Sequence, residues 1–207
     1  MLWLDFLEPS GSVVYDKSGY GNHGTIYGAQ RVRALGRWGL RFDGVDDYVE
    51  VPDFGYVWGN AFTIECIVKP TQTGWEWEDL LRRGSKGPAL FYNRDDKFLS
   101  WRSFVGGSWV IIAESVDNVV SPHEWNHVVL VRFGDLSHQF YVNGKSVAMN
   151  INTTYSPDDN PANYLIGKNP AGVEFFGGIM AFIRICNRAL TPREVKANYA
   201  YFFSHLK

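Results

Sequence analysis

The chain has 207 residues, enough to bury a sizeable core in one domain. A net charge of -2, a pI near 6.2 and no block of like charge exclude a nucleic-acid footprint. Its longest apolar runs, such as 109–113 and 128–131, are far too short to span a membrane, so no membrane insertion is expected.

Residues 1–7 read as an opening strand. Residues 9–30, rich in Gly, Ser, Asp and Asn, read as an irregular loop with short strands at 12–15 and 25–27. The stretch LRFDGVDDYVEVPD (40–53) reads as a hairpin. Leu40 and Phe42 alternate with Arg41 and Asp43, Gly44 supplies a turn, and Tyr48–Val51 resumes β character until Pro52. Phe62, Ile64, Cys66 and Val68 alternate onto one face of the next strand. A loop at 70–79 holds Trp75 and Trp77, and short strands recur near 79–83, 88–92, 97–103 and 108–115. Trp125–Phe133 is a strong strand. Asn143-Gly144 is the strongest hairpin signal, 152–163 is a polar loop, and 164–166 and 178–186 are further strands. Thr191-Pro-Arg-Glu194 is a capping box that opens one helix, with Val195, Asn198, Tyr199 and Phe202 at helical spacing. Many short strands with a turn about every ten residues predict an all-β, two-sheet antiparallel sandwich or jelly roll, one domain over 1–207, with one short C-terminal helix.

Several patterns invite chemistry that their context denies. GYGNHG (19–24) matches a dinucleotide fingerprint, but β-prone Thr25-Ile26-Tyr27 follows where a helix must open. HEWNH (123–127) matches a zinc-protease motif, but it runs into a strand, where four residues span roughly 13 Å. Glu76-Trp-Glu78-Asp79 is the nearest approach to a glycosidase carboxylate set and sits at a predicted loop. Asn152-Thr153-Thr154 is a glycosylation sequon. Cys66 and Cys186 lie in apolar runs and read as buried free thiols. The first eleven residues lack the features of a signal peptide.

Seven segments in order carry a resemblance: DKSGYGNHGT, GLRFDGVDDYVEVP, FTIECIVKP, WNHVVLVR, FYVNGK, LIG and GGIMAFIRICNRALTPREV. Together, over about residues 16–199, they resemble the concanavalin A-like, laminin G-like jelly-roll family, more distantly related to pentraxins. The resemblance implies two sheets, one concave, with ligands on the concave face or rim loops, and placement at an extracellular or particle surface. It also implies a structural calcium, for which Asp43, Asp46 and Asp47 are the candidate ligands. A last-strand aspartate of the family is replaced by Ala181, and the adjacent Phe182 adds hydrophobic surface at an edge. The turn chemistry of the three aspartates is the alternative reading, and no cofactor is required.

The leading expectation is a non-catalytic recognition module binding carbohydrate or a surface protein. Aromatics form 16% of the chain, with 8 Trp, more than a core alone needs. The candidate platforms are Trp75, Trp77, Trp101 and Trp109, with Asp79, Asn93, Arg102 and Tyr155 as polar partners. Trp3, Trp38 and Trp125 are assigned to the core. The alternative is a homo-oligomeric assembly or attachment subunit of a virus particle or appendage, which domain economy suggests. A glycoside hydrolase on the same fold is the third reading.

Overall fold

A computed structural model describes residues 1–56, 58, 61–71, 75–157 and 160–204. Positions 72–74 and 158–159 of the predicted loops lie outside the described residues. In chain order the elements are β1 (Leu2–Leu4), β2 (Val13–Val14), β3 (Gly24–Tyr27), β4 (Gln30–Ala34), β5 (Arg37–Asp43), β6 (Tyr48–Val51), β7 (Phe62–Pro70), β8 (Trp77–Arg83) and β9 (Ala89–Asn93). There follow β10 (Leu99–Val105), β11 (Ser108–Ser115), β12 (Asn126–Arg132), β13 (His138–Val142), β14 (Lys145–Ser146), β15 (Met149–Asn152), β16 (Tyr164–Ile166), β17 (Gly177–Cys186) and helix α1 (Pro192–Phe203).

The strands form two antiparallel sheets. One runs β14-β13-β12-β7-β17-β5-β4 with β1 on β17; the other runs β15-β11-β10-β9-β8-β16-β6-β3-β2. The jelly-roll sandwich with one C-terminal helix is the fold the sequence predicts. The main core lies between the sheets. Phe62, Ile64, Cys66 and Val68 of β7 face it, as their alternation requires, opposite Leu90, Leu99 and Trp101 of the second sheet.

β7 is buried on its other face too, because α1 covers the first sheet. The helix starts where the sequence places it. Glu194 N–H donates to Thr191 Oγ1 at 3.2 Å, and Glu194 Oε2 accepts Thr191 N–H at 2.8 Å. Val195 then packs with Leu190 on Val129 and Val131. Each fully buried apolar side chain of this kind contributes roughly 1.5–3 kcal/mol. Phe202 packs on Phe182 and Tyr199 stacks on His127. Beneath them Glu65 takes His127 Nε2 at 2.6 Å and Arg184 Nε at 2.5 Å, with Asn198 Nδ2 at 3.4 Å. This network accounts for the second histidine of HEWNH. His127 is buried under the helix, while His123 is exposed at positive φ, so the two share no ligand site. Gly24 of GYGNHG opens β3, not a helix.

Several expectations need correction. The 40–53 stretch is not a hairpin: β5 pairs with β4 and β17 in the first sheet, whereas β6 pairs with β3 and β16 in the second. The acidic turn is the crossing between sheets. Trp3 is 40% exposed at the edge strand β1, with its ring against Phe182. Trp38 lies partly buried under the Arg33 guanidinium, 4.2 Å from its ring centre. Trp125 packs outside the main core, against the Ile67–Ala181–Phe182 group. Phe182 itself is buried beneath α1 and is not edge surface. Both cysteines are free, but only Cys66 is fully buried; Cys186 is half-buried near the N-terminus.

Candidate functional site

A β-bulge builds the site. Along a regular strand, residues three apart point to opposite faces. The register of β8 on β9 slips between Asp79 and Leu81, so Leu80 and Leu81 both enter the core. Asp79 and Arg82 are thereby brought to the same outer face. Arg82 Nε donates to Asp79 Oδ2 at 2.7 Å and Nη2 to Oδ1 at 3.3 Å, both residues buried.

The neighbouring strands extend this face. Asp79 stands opposite Phe91, Phe91 opposite Ser100, and Ser100 opposite Glu114. Arg102 Nε donates to Ser100 Oγ at 2.9 Å and its Nη2 to Glu114 Oε2 at 3.4 Å. Trp77 lies beneath the Arg102 guanidinium, 4.0 Å from ring centre to Cζ. The Arg82 guanidinium lies 4.9 Å from the Phe91 ring and 5.1 Å from the Trp109 ring. The segment between β16 and β17 closes the side. Asp79 N–H donates to Glu174 O at 2.9 Å, and Glu174 Oε2 accepts Arg82 Nη2 at 3.1 Å and Asn169 Nδ2 at 2.5 Å. The result is an open cleft of about 390 Å³ whose walls include Arg82, Phe91, Arg102, Trp109, Asn169 and Glu174, with Ser85 and Ala171 at the rim.

Burial tunes the charged groups. Desolvation pushes the Asp79 carboxyl up to about 7, against the pull of Arg82. Desolvation also lowers the pKa of Arg102, with Glu114 opposing. Glu78 faces the core opposite Tyr92, and desolvation pushes its carboxyl up to about 8, against the Gly177 N–H that donates to it at 3.2 Å.

Of the sequence-predicted residues, Arg102 and Trp109 line this cleft, while Trp77 and Asp79 support its wall through Arg102 and Arg82. Trp101 does neither. It alternates to the core side of β10, fully buried between Trp58 and Phe62. Asn93 is buried on the outer face but shapes the next turn, its Oδ1 accepting Asp96 N–H at 2.8 Å. Trp75 precedes β8 and Tyr155 lies in the polar loop; both are exposed, and neither lines the cleft. Sequence reasoning missed Arg82, Ser85, Phe91, Asn169 and Glu174. Phe91 lies in a predicted strand, opposite Asp79 and Ser100, and was recoverable once that pairing is known. Arg82 was not, because the bulge reverses its face.

The acidic turn was the candidate metal centre. Asp43 Oδ1 accepts Val45 N–H at 2.8 Å and Asp46 N–H at 3.3 Å, and Asp47 Oδ2 accepts Asp43 N–H at 2.9 Å. Against desolvation, these backbone bonds hold Asp43 below the usual carboxylate range, whereas desolvation raises Asp47. The three carboxylates offer oxygens within 4.8 Å of one another, a donor set that fits a hard cation such as calcium. Ala181, in the last strand, adds no ligand and is buried under α1. Every aspartate except Asp46 is engaged in the crossing through its carboxylate, so turn formation accounts for the cluster. A chelator is therefore expected to leave the melting temperature unchanged; a fall on adding EDTA, reversed by calcium, would establish a bound stabilising ion.

Comparison with known proteins places this architecture. Residues 43–196 match the family model of the Concanavalin A-like lectin/glucanases superfamily. No curated protein sequence matches at a significant level. Among solved structures, the binding domain of Paraclostridial Mosquitocidal Protein 1 aligns with a TM-score of 0.74 at 18% identity, over 98% of this chain and 52% of that one. The binding domain of botulinum neurotoxin serotype D aligns with a TM-score of 0.74 at 12% identity, over 97% and 51%. Trypanosoma rangeli sialidase in complex with sialic acid aligns with a TM-score of 0.67 at 22% identity, over 98% and 32%. The chain thus spans about half the length of the toxin binding domains and a third of the sialidase. At these identities the likeness is one of fold.

Proposed function

The chain belongs to the Concanavalin A-like lectin/glucanases superfamily, and from that premise we propose that it is a non-catalytic recognition module binding carbohydrate in the cleft over β8–β11. The observation that carries this reading is the cleft itself. Aromatic rings and planar polar groups share one outer face, the combination that saccharides need for their C–H faces and hydroxyls. Trp109 is 44% exposed at its wall and backed by Phe104, so it offers a fixed ring. The two toxin structures of the same fold are described as binding domains, which supports the choice of recognition over chemistry.

Catalysis fits the same groups poorly. Asp79 has the raised pKa of a general acid, but it is fully buried with both oxygens on Arg82, out of reach of a ligand. Glu78 faces the interior. A second reading, as an assembly subunit, rests on the apolar surface by the C-terminal helix, where Tyr201 is 68% and Leu7 39% exposed beside Phe202.

A glycan-array screen of the wild type beside Trp109→Ala and Trp75→Ala separates these readings. Trp109→Ala is expected to weaken binding about tenfold or more, equivalent to ~1.4 kcal/mol or more, with Trp75→Ala unchanged. Absence of binding to any glycan, with a stable oligomer in solution, would favour the assembly surface.

A further inference from the structure

We infer that the cleft selects uncharged saccharides over sialylated or sulfated ones, a conclusion that rests on the carbohydrate reading above. Two guanidiniums face the cleft, and each already holds a carboxylate: Arg82 holds Asp79 and Glu174, and Arg102 holds Glu114. Three acids therefore stand against two cations. Lys86, next to the lining Ser85, lies over Phe104, 5.3 Å from its ring centre, and does not line the cleft.

An anionic ligand meets no cleft-lining cation without a carboxylate partner. To reach Arg82 it would have to displace the two-point contact with Asp79, which is fully buried and cannot turn to solvent. Leaving a buried carboxylate without its partner is strongly unfavourable. At Arg102 the newcomer would compete with Glu114 and meet its repulsion, with Glu174 a further acid in the wall.

Neutral hydroxyls meet no such obstacle. Among the described residues, Arg102 Nη1 and the exposed Ser85 hydroxyl remain available as donors, and Glu174 Oε1 carries no hydrogen bond and can accept one. A sugar hydroxyl both donates and accepts, so a pair of adjacent hydroxyls can bridge these groups without displacing an ion pair. The Trp109 ring supplies the apolar contact for the same sugar.

The test titrates the protein, by calorimetry at pH 7.4, with neutral oligosaccharides drawn from an array and with the matched sialylated and sulfated forms. The neutral form is expected to bind at least tenfold tighter, and Glu174→Gln is expected to narrow that gap by removing one repulsive charge. Tighter binding of the acidic form, lost on Arg102→Ala, would overturn the selectivity while leaving the carbohydrate reading intact. Equal binding of both forms would also overturn it. Binding of neither form, with the variants folded by circular dichroism, would remove the carbohydrate reading beneath it.

Discussion

Arg82→Ala is expected to destabilise the domain by up to about 3–5 kcal/mol at alkaline pH, far more than loss of a surface arginine. Arg82 is 4% exposed and is the partner of both oxygens of the fully buried Asp79. It also fills the space between the Phe91 and Trp109 rings and holds Glu174. Its removal leaves a carboxylate in a dry environment, which relieves itself by taking a proton. Burial has already pushed that carboxyl up to about 7, and loss of the cation moves it further in the same direction. The cost of the substitution therefore grows as pH rises and shrinks in mild acid, where the orphaned group is neutral. Replacing both partners with leucine removes the unpaired charge and should recover most of the loss. Urea unfolding at pH 6 and pH 8 measures both variants beside the wild type. A single-mutant cost below about 1 kcal/mol at both pH values would mean that the pair is solvated in solution.

Stability should fall between about pH 5 and pH 8 because of Glu78. Its side chain is fully buried opposite Tyr92, with Gly177 N–H on Oε2 and no partner on Oε1 among the described residues. Desolvation raises the carboxyl from 4.5 to about 8, so the native state keeps a proton that the unfolded chain releases. The contribution is complete below the unfolded value, declines as pH rises, and is lost above the folded value. At ~1.4 kcal/mol per unit, the whole effect is on the order of a few kcal/mol. Glu78→Gln mimics the protonated form, so it should reduce the slope, leaving the part carried by the raised Asp79, and make the variant the more stable protein at pH 8. Glu65 runs the other way. Against desolvation, His127 and Arg184 hold its carboxyl below the ordinary value, and its contribution is lost as pH falls. Parallel pH profiles for wild type and Glu78→Gln would show that Glu78 is ionised in the native state.

The sequence was most readable where a single local rule decides the structure. Strand alternation in β7 and the capping box of α1 are local, and both appear where expected. The acidic stretch misled because a tight turn between two strands has the same local chemistry whether the strands pair with each other or part into different sheets. Which occurs depends on β3, β4, β16 and β17, distant in the chain. The site was half legible for a related reason. Trp77 and Trp109 stand out by composition, and Arg102 by its place beside them. Trp101 and Arg102 are adjacent, so alternation sends one to the core and one to the cleft, and only pairing decides which. Arg82 depends on a bulge that no residue of β8 announces, and Glu174 comes from a connection more than ninety residues later. The tryptophans assigned to the core failed differently. Trp3 and Trp38 occur in genuine strands, but at places where the sheets are only partly covered.

The most direct test of the account is a two-dimensional NMR titration that follows the eight tryptophan indole N–H signals as a bound oligosaccharide is added. Trp109, in the cleft wall, and Trp77, under Arg102, should shift in a saturable way, while Trp3 and Trp38 on the far sheet and Trp125 packed against its outer face stay still. Saturable shifts confined to Trp75 or to the far sheet, with Trp109 unmoved, would contradict the placement of the binding site.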